Sequence, residues 1–170
     1  ELKQNGLGGV IQDKIENHFL QDFYGIELMF TPYIISHLKL AMVLKDWNYE
    51  LEDDDRIQVY LSNTLEPEEE TEGAGAFLQE LDTESQKANE IKREEDIIAI
   101  LGNPPYQVSS QNQGQWIDSL LKNGYTRADG SEDDGYYKIN GEPLDEKNSK
   151  NLQDDYVKFI RFSQWKIDQN

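Results

Sequence analysis

Apolar residues at Val10, Ile11, Ile15, Phe19 and Leu20 are spaced for one face of an amphipathic helix. The stretch before them, residues 1–9, carries Gly6, Gly8 and Gly9 and predicts a loop. Phe23 to Leu28 is short, apolar and aromatic, and predicts a buried strand ending near Glu27. Thr31 then suits a helix N-cap and Pro32 the first turn. Ile34, Ile35, Leu38, Ala41 and Met42 continue that helix as a stripe running to about Trp47. After an acidic turn at Glu52 to Asp55, Arg56 to Leu65 predicts a second strand with Ile57, Val59 and Leu61 on one face. Glu66 to Glu72, followed by Gly73 and Gly75, predicts a solvated acidic loop.

Phe77 to Glu95 predicts a highly charged helix, and Asp96 to Leu101 a short apolar strand that stops at Gly102-Asn103-Pro104-Pro105. Residues 107–150 are rich in Gln, Asn, Ser, Gly and Asp; one short helix is expected at about Trp116 to Lys122, and the rest reads as excursion or hairpin. Leu152 to Ile167 predicts a final helix, with Leu152, Tyr156, Phe159, Ile160 and Ile167 as its apolar face and Lys158 and Arg161 off it. Strand, helix, strand, helix, strand implies an α/β sheet with mostly parallel strands and flanking helices. Ligands bind such sheets beyond the carboxyl ends of the strands. Glu27, Asn63 and Asn103 all fall at expected strand ends, which is the pattern of a site.

At 170 residues the chain is long enough for one domain with a core. A mean hydropathy of −0.80 fits long solvated loops. No apolar run nears the ~20 residues of a membrane span, and there is no basic-then-apolar leader, so a cytoplasmic protein is expected. Glu1 in place of an initiating Met suggests an excised fragment or a processed chain. The absence of cysteine excludes disulfides and thiolate metal sites, and His18 and His37 have no partner at metal-ligand spacing, so no metal is expected. His37, on an amphipathic helix, reads as a packed side chain. The net charge of −18 has the larger consequence. Phosphate binding depends on Lys and Arg, and a surface this acidic repels DNA at long range. If DNA is the substrate, the grip must come from regions outside these residues.

The run Ile97 to Tyr106 carries the chemistry. The exocyclic amine of adenine is a poor nucleophile because its lone pair is delocalised. The Asn103 side-chain oxygen and the Pro104 carbonyl are suited to accept its two N–H bonds and stabilise the positive charge that develops on nitrogen. Pro104 and Pro105 restrict the backbone, so these acceptors are held in place beforehand. Tyr106 offers a face on which an extruded base can stack. The competing reading is a rigid proline turn capping a strand, without catalytic function.

Asn103 to Tyr106 resembles motif IV of the amino-methyltransferases, which carry this tetrapeptide at the end of their fourth strand. Phe23 to Leu28 resembles their second-strand motif, whose acidic residue binds the ribose hydroxyls of S-adenosyl-L-methionine; this implies cofactor contact by Glu27. Val59 to Glu66 occupies the place of the third-strand motif, with Asn63 nearest to the cofactor-contacting residue, which is Asp in many relatives. Pro32 to Leu40, Trp116 to Leu121 and Leu152 to Ile167 are similar to the methylase core of single-polypeptide Type I restriction–modification enzymes. The resemblance implies a partial Rossmann-like methyltransferase domain over residues 1–170. Its second to fourth strands lie within about 22–106, a polar excursion covers about 107–150 and a C-terminal helix about 152–168.

The implied activity is methyl transfer to the N6 amine of a flipped adenine in DNA. No segment before Glu27 matches the family's Gly-rich cofactor turn, so weak or no binding of S-adenosyl-L-methionine, and no activity, is expected of this chain alone. The strand that would carry that turn lies between the second and fourth strands in the family sheet. An exposed sheet edge is therefore expected, open to dimerisation or strand exchange. Two alternatives remain: methylation of a protein glutamine or of RNA, and a non-catalytic interaction module on a methyltransferase-like fold.

Overall fold

The computed structural model describes residues 8–66, 76–104, 112, 114–145 and 149–170, without the side chains of 76–81 and 149–150. The loop expected over residues 1–9 falls largely outside that set, as do most of the acidic run and Gly73 and Gly75. The chain is mixed helix and strand and divides into two compact units, Glu1–Asn63 with Glu70–Ile91 and Thr64–Glu69 with Lys92–Asn170.

The first unit opens with helix α1 (Gly8–Lys14), a π-helical turn (Ile15–Phe19) and the short α2 (Leu20–Asp22). The π turn has a reason in the sequence. Ile11 and Ile15 are four residues apart, but the next core residue, Leu20, is five further on. The wider turn, closed by the Leu20 N–H on the Ile15 carbonyl, brings Leu20 into the same core. Strand β1 (Gly25–Glu27) follows, ending at Glu27. Helix α3 (Phe30–Asp46) places Leu44 in the core with Ile11, Ile15, Leu20, Tyr49 and Ile57. Its N-cap is Met29 rather than Thr31, which lies inside the first turn.

Strand β2 (Val59–Leu61) is shorter than the expected Arg56 to Leu65 and pairs with β1 in parallel, Glu27 opposite Leu61. Helix α4 (Ala76–Glu94) packs Ala88 and Ile91 against Tyr60, close to the expected span. Its Glu84 carboxylate pairs with Arg56 at 2.5 Å and accepts the Leu61 N–H at 3.4 Å. The sheet here has two strands among the described residues.

In the second unit, helix α5 (Gln115–Asn123) packs on helix α6 (Asp155–Ile167) through Ile117, Leu120 and Phe162, with Leu65 in the same cluster. Between them lie two small antiparallel hairpins. One is β3 (Tyr125–Thr126) with β4 (Glu132–Asp133), the other β5 (Lys138–Ile139) with β6 (Glu142–Pro143). A 3-10 turn (Ser149–Gln153) leads into α6.

Two expectations are corrected here. Asp96 to Leu101 is not a strand: among the described residues it pairs with no strand, Ile98 is 88% exposed and Leu101 fully exposed. Apolar sequence alone cannot make a strand, because its backbone groups need a neighbour to bond. The faces of α6 are also partly exchanged, although Phe159 packs against the core as expected. Asp155, Lys158, Arg161, Phe162 and Lys166 turn inward, while Tyr156, Ile160 and Ile167 face out. Hydrophobic periodicity failed there because the buried cations found acceptors. Lys158 Nζ donates to the Asn112 carbonyl and faces Asp118 at 3.4 Å. Arg161 has partners on every side, as described below.

Among the described residues no helix is long and apolar enough to cross a membrane.

Candidate functional site

Glu27 and Asn63 belong to the first unit. Glu27 is the last residue of β1, and Asn63 lies two residues beyond β2. The parallel register brings the two strand ends side by side: the Ser62 N–H donates to the Glu27 carbonyl at 3.0 Å. One carboxylate oxygen of Glu27, Oε1, accepts the Met29 N–H at 2.8 Å. That bond fixes the carboxylate at the carboxyl edge of the sheet, leaving Oε2 for a second donor. Gly25 opens β1 in close packing: a Cβ there would lie 3.1 Å from Val59 Cγ2, so that side chain would have to give slightly. His37 on α3 closes the lower side, with its Nε2 3.1 Å from the Val59 carbonyl and its ring edge-on to Tyr33 at 4.7 Å. It is a packed histidine. A carboxylate held at a strand end, with one oxygen open to a further donor, can accept a hydroxyl hydrogen.

Asn103 and Pro104 belong to the second unit. Asn103 is exposed and Pro104 half-buried. Pro105 and Tyr106, the remainder of the tetrapeptide, lie outside the described residues. From Ile98 to Pro104 no hydrogen bond forms among the described residues. The segment is tied instead at Ile97, whose N–H donates to Asn170 Oδ1 at 3.2 Å and whose carbonyl accepts from Asn170 Nδ2 at 2.8 Å. At its base, Lys166 is 3% exposed. Burial pushes the Lys166 amine below the usual lysine range, against the opposing charges of Asp96 and Glu95.

A polar hub that hydrophobic periodicity did not reveal sits behind this segment. Arg161, fully buried, lies between the rings of Tyr125 and Tyr136 at 4.6 and 4.8 Å. It donates to the Leu120 carbonyl at 2.8 Å, to Gln164 at 3.1 Å and to Asp133. Arg127 joins Asp133 at 2.9 Å to Asp168 at 3.0 Å. Burial works to raise the Asp133 pKa, but the Arg161 hydrogen bond, the Gly135 N–H and the two guanidinium charges hold it below the usual carboxylate value. The one sequence signal for this hub was that Lys158, Arg161 and Lys166 share a helical face. Nothing in the spacing of Asp133, Asp168 and Asn170 marked them. Among the described residues no three His, Asp or Glu side chains are grouped to hold a metal ion.

No family model matches the chain, and neither does any curated protein or solved structure.

Proposed function

We propose that these residues form part of an S-adenosyl-L-methionine-dependent methyltransferase that modifies the N6 amine of adenine in DNA, within a restriction–modification protein. The observation that carries this reading is the run Ile97 to Tyr106, an apolar segment opening directly into Asn103-Pro104-Pro105-Tyr106. Further support comes from Glu27, whose carboxylate is fixed at the carboxyl end of a parallel strand beside the end of β2. In this reading Glu27 binds the ribose hydroxyls and Asn63 contacts the adenine of the cofactor. When bound, the cofactor would supply an electrophilic sulfonium methyl group for transfer to the amine nitrogen, which would lose one proton.

Asn103 and the Pro104 carbonyl accept the amine hydrogens and favour the charge that builds on nitrogen. Tyr106 stacks on the base. Phosphate contacts belong to other regions of the full-length protein, since a charge of −18 opposes DNA binding by this surface. The same charge favours one second reading, a glutamine side-chain amide of a protein as acceptor, because Asn103 and Pro104 suit an amide nitrogen equally well.

The test is transfer of labelled methyl from S-adenosyl-L-methionine by the full-length protein. Unmethylated DNA and a protein extract serve as acceptors, with Asn103→Ala in parallel. Label recovered as N6-methyladenine, and reduced at least about a hundredfold in Asn103→Ala, is the expected result. Label in protein alone moves the assignment to the second reading. Label in neither acceptor removes both.

A further inference from the structure

We propose, independently of the methyltransferase reading, that the outward face of α3 is an interface between two copies of this protein. α3 is apolar on two sides. Leu40, Ala41 and Leu44 face the core of the first unit, and His37 Nε2, 3.1 Å from the Val59 carbonyl, fixes the helix against β2. On the opposite side Ile35, Leu38 and Met42 are exposed, Leu38 by 61% and Met42 by 60%, with Ile34 and Val43 exposed beside them. A surface helix keeps a polar outer face, whereas a helix apolar on both faces is covered on both.

The outward seam is spaced for another helix. From Thr31 the steps to Ile35, Leu38 and Met42 are four, three and four residues, the repeat by which two helices interlock along a line. Its area suits a pair of copies. The five apolar side chains expose roughly 500 Å², and the stems of Lys39 and Lys45 at the rim bring the face to roughly 700 Å², close to what one partner buries in a stable interface. Monomers seldom leave that much apolar surface in one patch.

Charge selects the partner. Asp and Glu supply 34 of the 170 residues, yet residues 28–45 contain neither, and the charged side chains there are Lys39 and Lys45. Asp46, the last residue of α3, is the first carboxylate beyond the seam. Two chains of net charge −18 repel each other at long range, and this face lets them meet without opposing carboxylates. Nucleic acid and anionic lipid are repelled by the same charge, and two lysines cannot neutralise a row of phosphates. A second copy brings the same apolar seam, which is self-complementary about a twofold axis.

The test is sedimentation velocity of the full-length protein from about 1 to 100 μM, with hydroxyl-radical labelling of Met42 at each concentration. Ile98→Gln and Leu101→Gln are in place throughout, so that the exposed segment after α4 adds no association of its own. Leu38→Glu is compared with Leu38→Met, which keeps the seam apolar. Because Leu38 is exposed, neither substitution should lower the thermal midpoint of the monomer. We expect a concentration-dependent dimer in the parent and in Leu38→Met, with Met42 labelled more slowly as the dimer forms. Leu38→Glu should weaken the dimer at least about a hundredfold, since it places a charge in the seam. Raising salt from about 10 to 150 mM should tighten the dimer by screening the net charge.

A parent protein that stays monomeric at about 100 μM overturns the proposal. Slow labelling of Met42 in that monomer would mean that another region of the full-length protein covers the seam, and fast labelling that nothing does. A dimer that Leu38→Glu leaves as tight as before overturns it as well and places the contact between copies elsewhere.

Discussion

Arg161 illustrates how one residue outweighs its hydrophobicity class. Its guanidinium is buried, and its partners Asp133, Gln164 and the Leu120 carbonyl leave it no exposed alternative. Replacing it by methionine keeps the volume but strands Asp133 with only Arg127 opposite. Arg161→Met should lower stability by about 3 kcal/mol, read as the urea midpoint of unfolding. A loss under about 1 kcal/mol would mean the pair is dispensable.

The Asp133 pKa is depressed in the folded state. The stability it contributes is therefore complete above its unfolded pKa and lost as pH falls through the folded one. Acid unfolding of Arg161→Met should accordingly be shallower than that of the wild type below pH 4. Tyr49 has the opposite sign. Burial, then its hydrogen bond to Asp55 at 2.8 Å, raises the hydroxyl to about 12. Its contribution is complete below the usual tyrosine value of 10 and is lost as pH rises towards 12. Tyr49→Phe should cost about 1 kcal/mol at neutral pH. Urea midpoints measured through pH 10–12 should converge for the two proteins, and parallel curves would refute the assignment.

At the scale of elements, the connection from α5 to β3 depends on Gly124. Its φ is +78°, and a Cβ there would sit 1.5 Å from the Asp133 carbonyl oxygen. Gly124→Ala should cost about 3 kcal/mol or more, because backbone rather than a flexible side chain must move. Thermal melting checks this, and a shift below about 2 °C would show that the hairpin adapts. The segment after α4 predicts the reverse. Ile98 and Leu101 contact almost nothing, so Ile98→Gln and Leu101→Gln should each change stability by less than about 0.5 kcal/mol. Were the segment a buried strand, each would cost several times that amount. The same pair of variants should lower any self-association, since an exposed unpaired apolar segment invites a second strand.

Over the whole chain, 34 acidic residues face 16 basic ones, and among the described residues four basic side chains, Lys92, Lys158, Arg161 and Lys166, are buried against one acidic one, Asp155. The surface is thus more acidic than composition implies. Self-repulsion should be relieved by salt: between about 10 and 150 mM the screening length falls from about 30 to 8 Å. The melting midpoint should rise over that range. A flat or falling midpoint would mean that surface pairs such as Lys87–Glu90 outweigh the net charge.

Much of the helical layout was legible from spacing. The spans of α3, α4 and α5 were close to those expected, but the stripe that predicted α3 is not the buried one: Ile34, Ile35, Leu38 and Met42 are exposed, while Leu44, with Leu40 and Ala41, meets the core. The end of β1 at Glu27 was legible from the short apolar and aromatic run, although the strand is half-buried rather than buried and Phe23 and Leu28 are exposed. The tetrapeptide at Asn103 stood out because its residues are chemically specific, whatever surrounds them. Three things were settled only in three dimensions. Whether Asp96 to Leu101 becomes a strand depends on a partner backbone, which no property of those six residues can supply. Which face of α6 turns inward depends on acceptors 28 to 46 residues away in sequence, at Asp133, Leu120 and Asn112. The grip of Asn170 on Ile97 joins residues 73 positions apart. Hydrophobic patterning is local and reports what water rejects, whereas a buried charge or a bonded carboxamide is decided by the partner that folding brings to it.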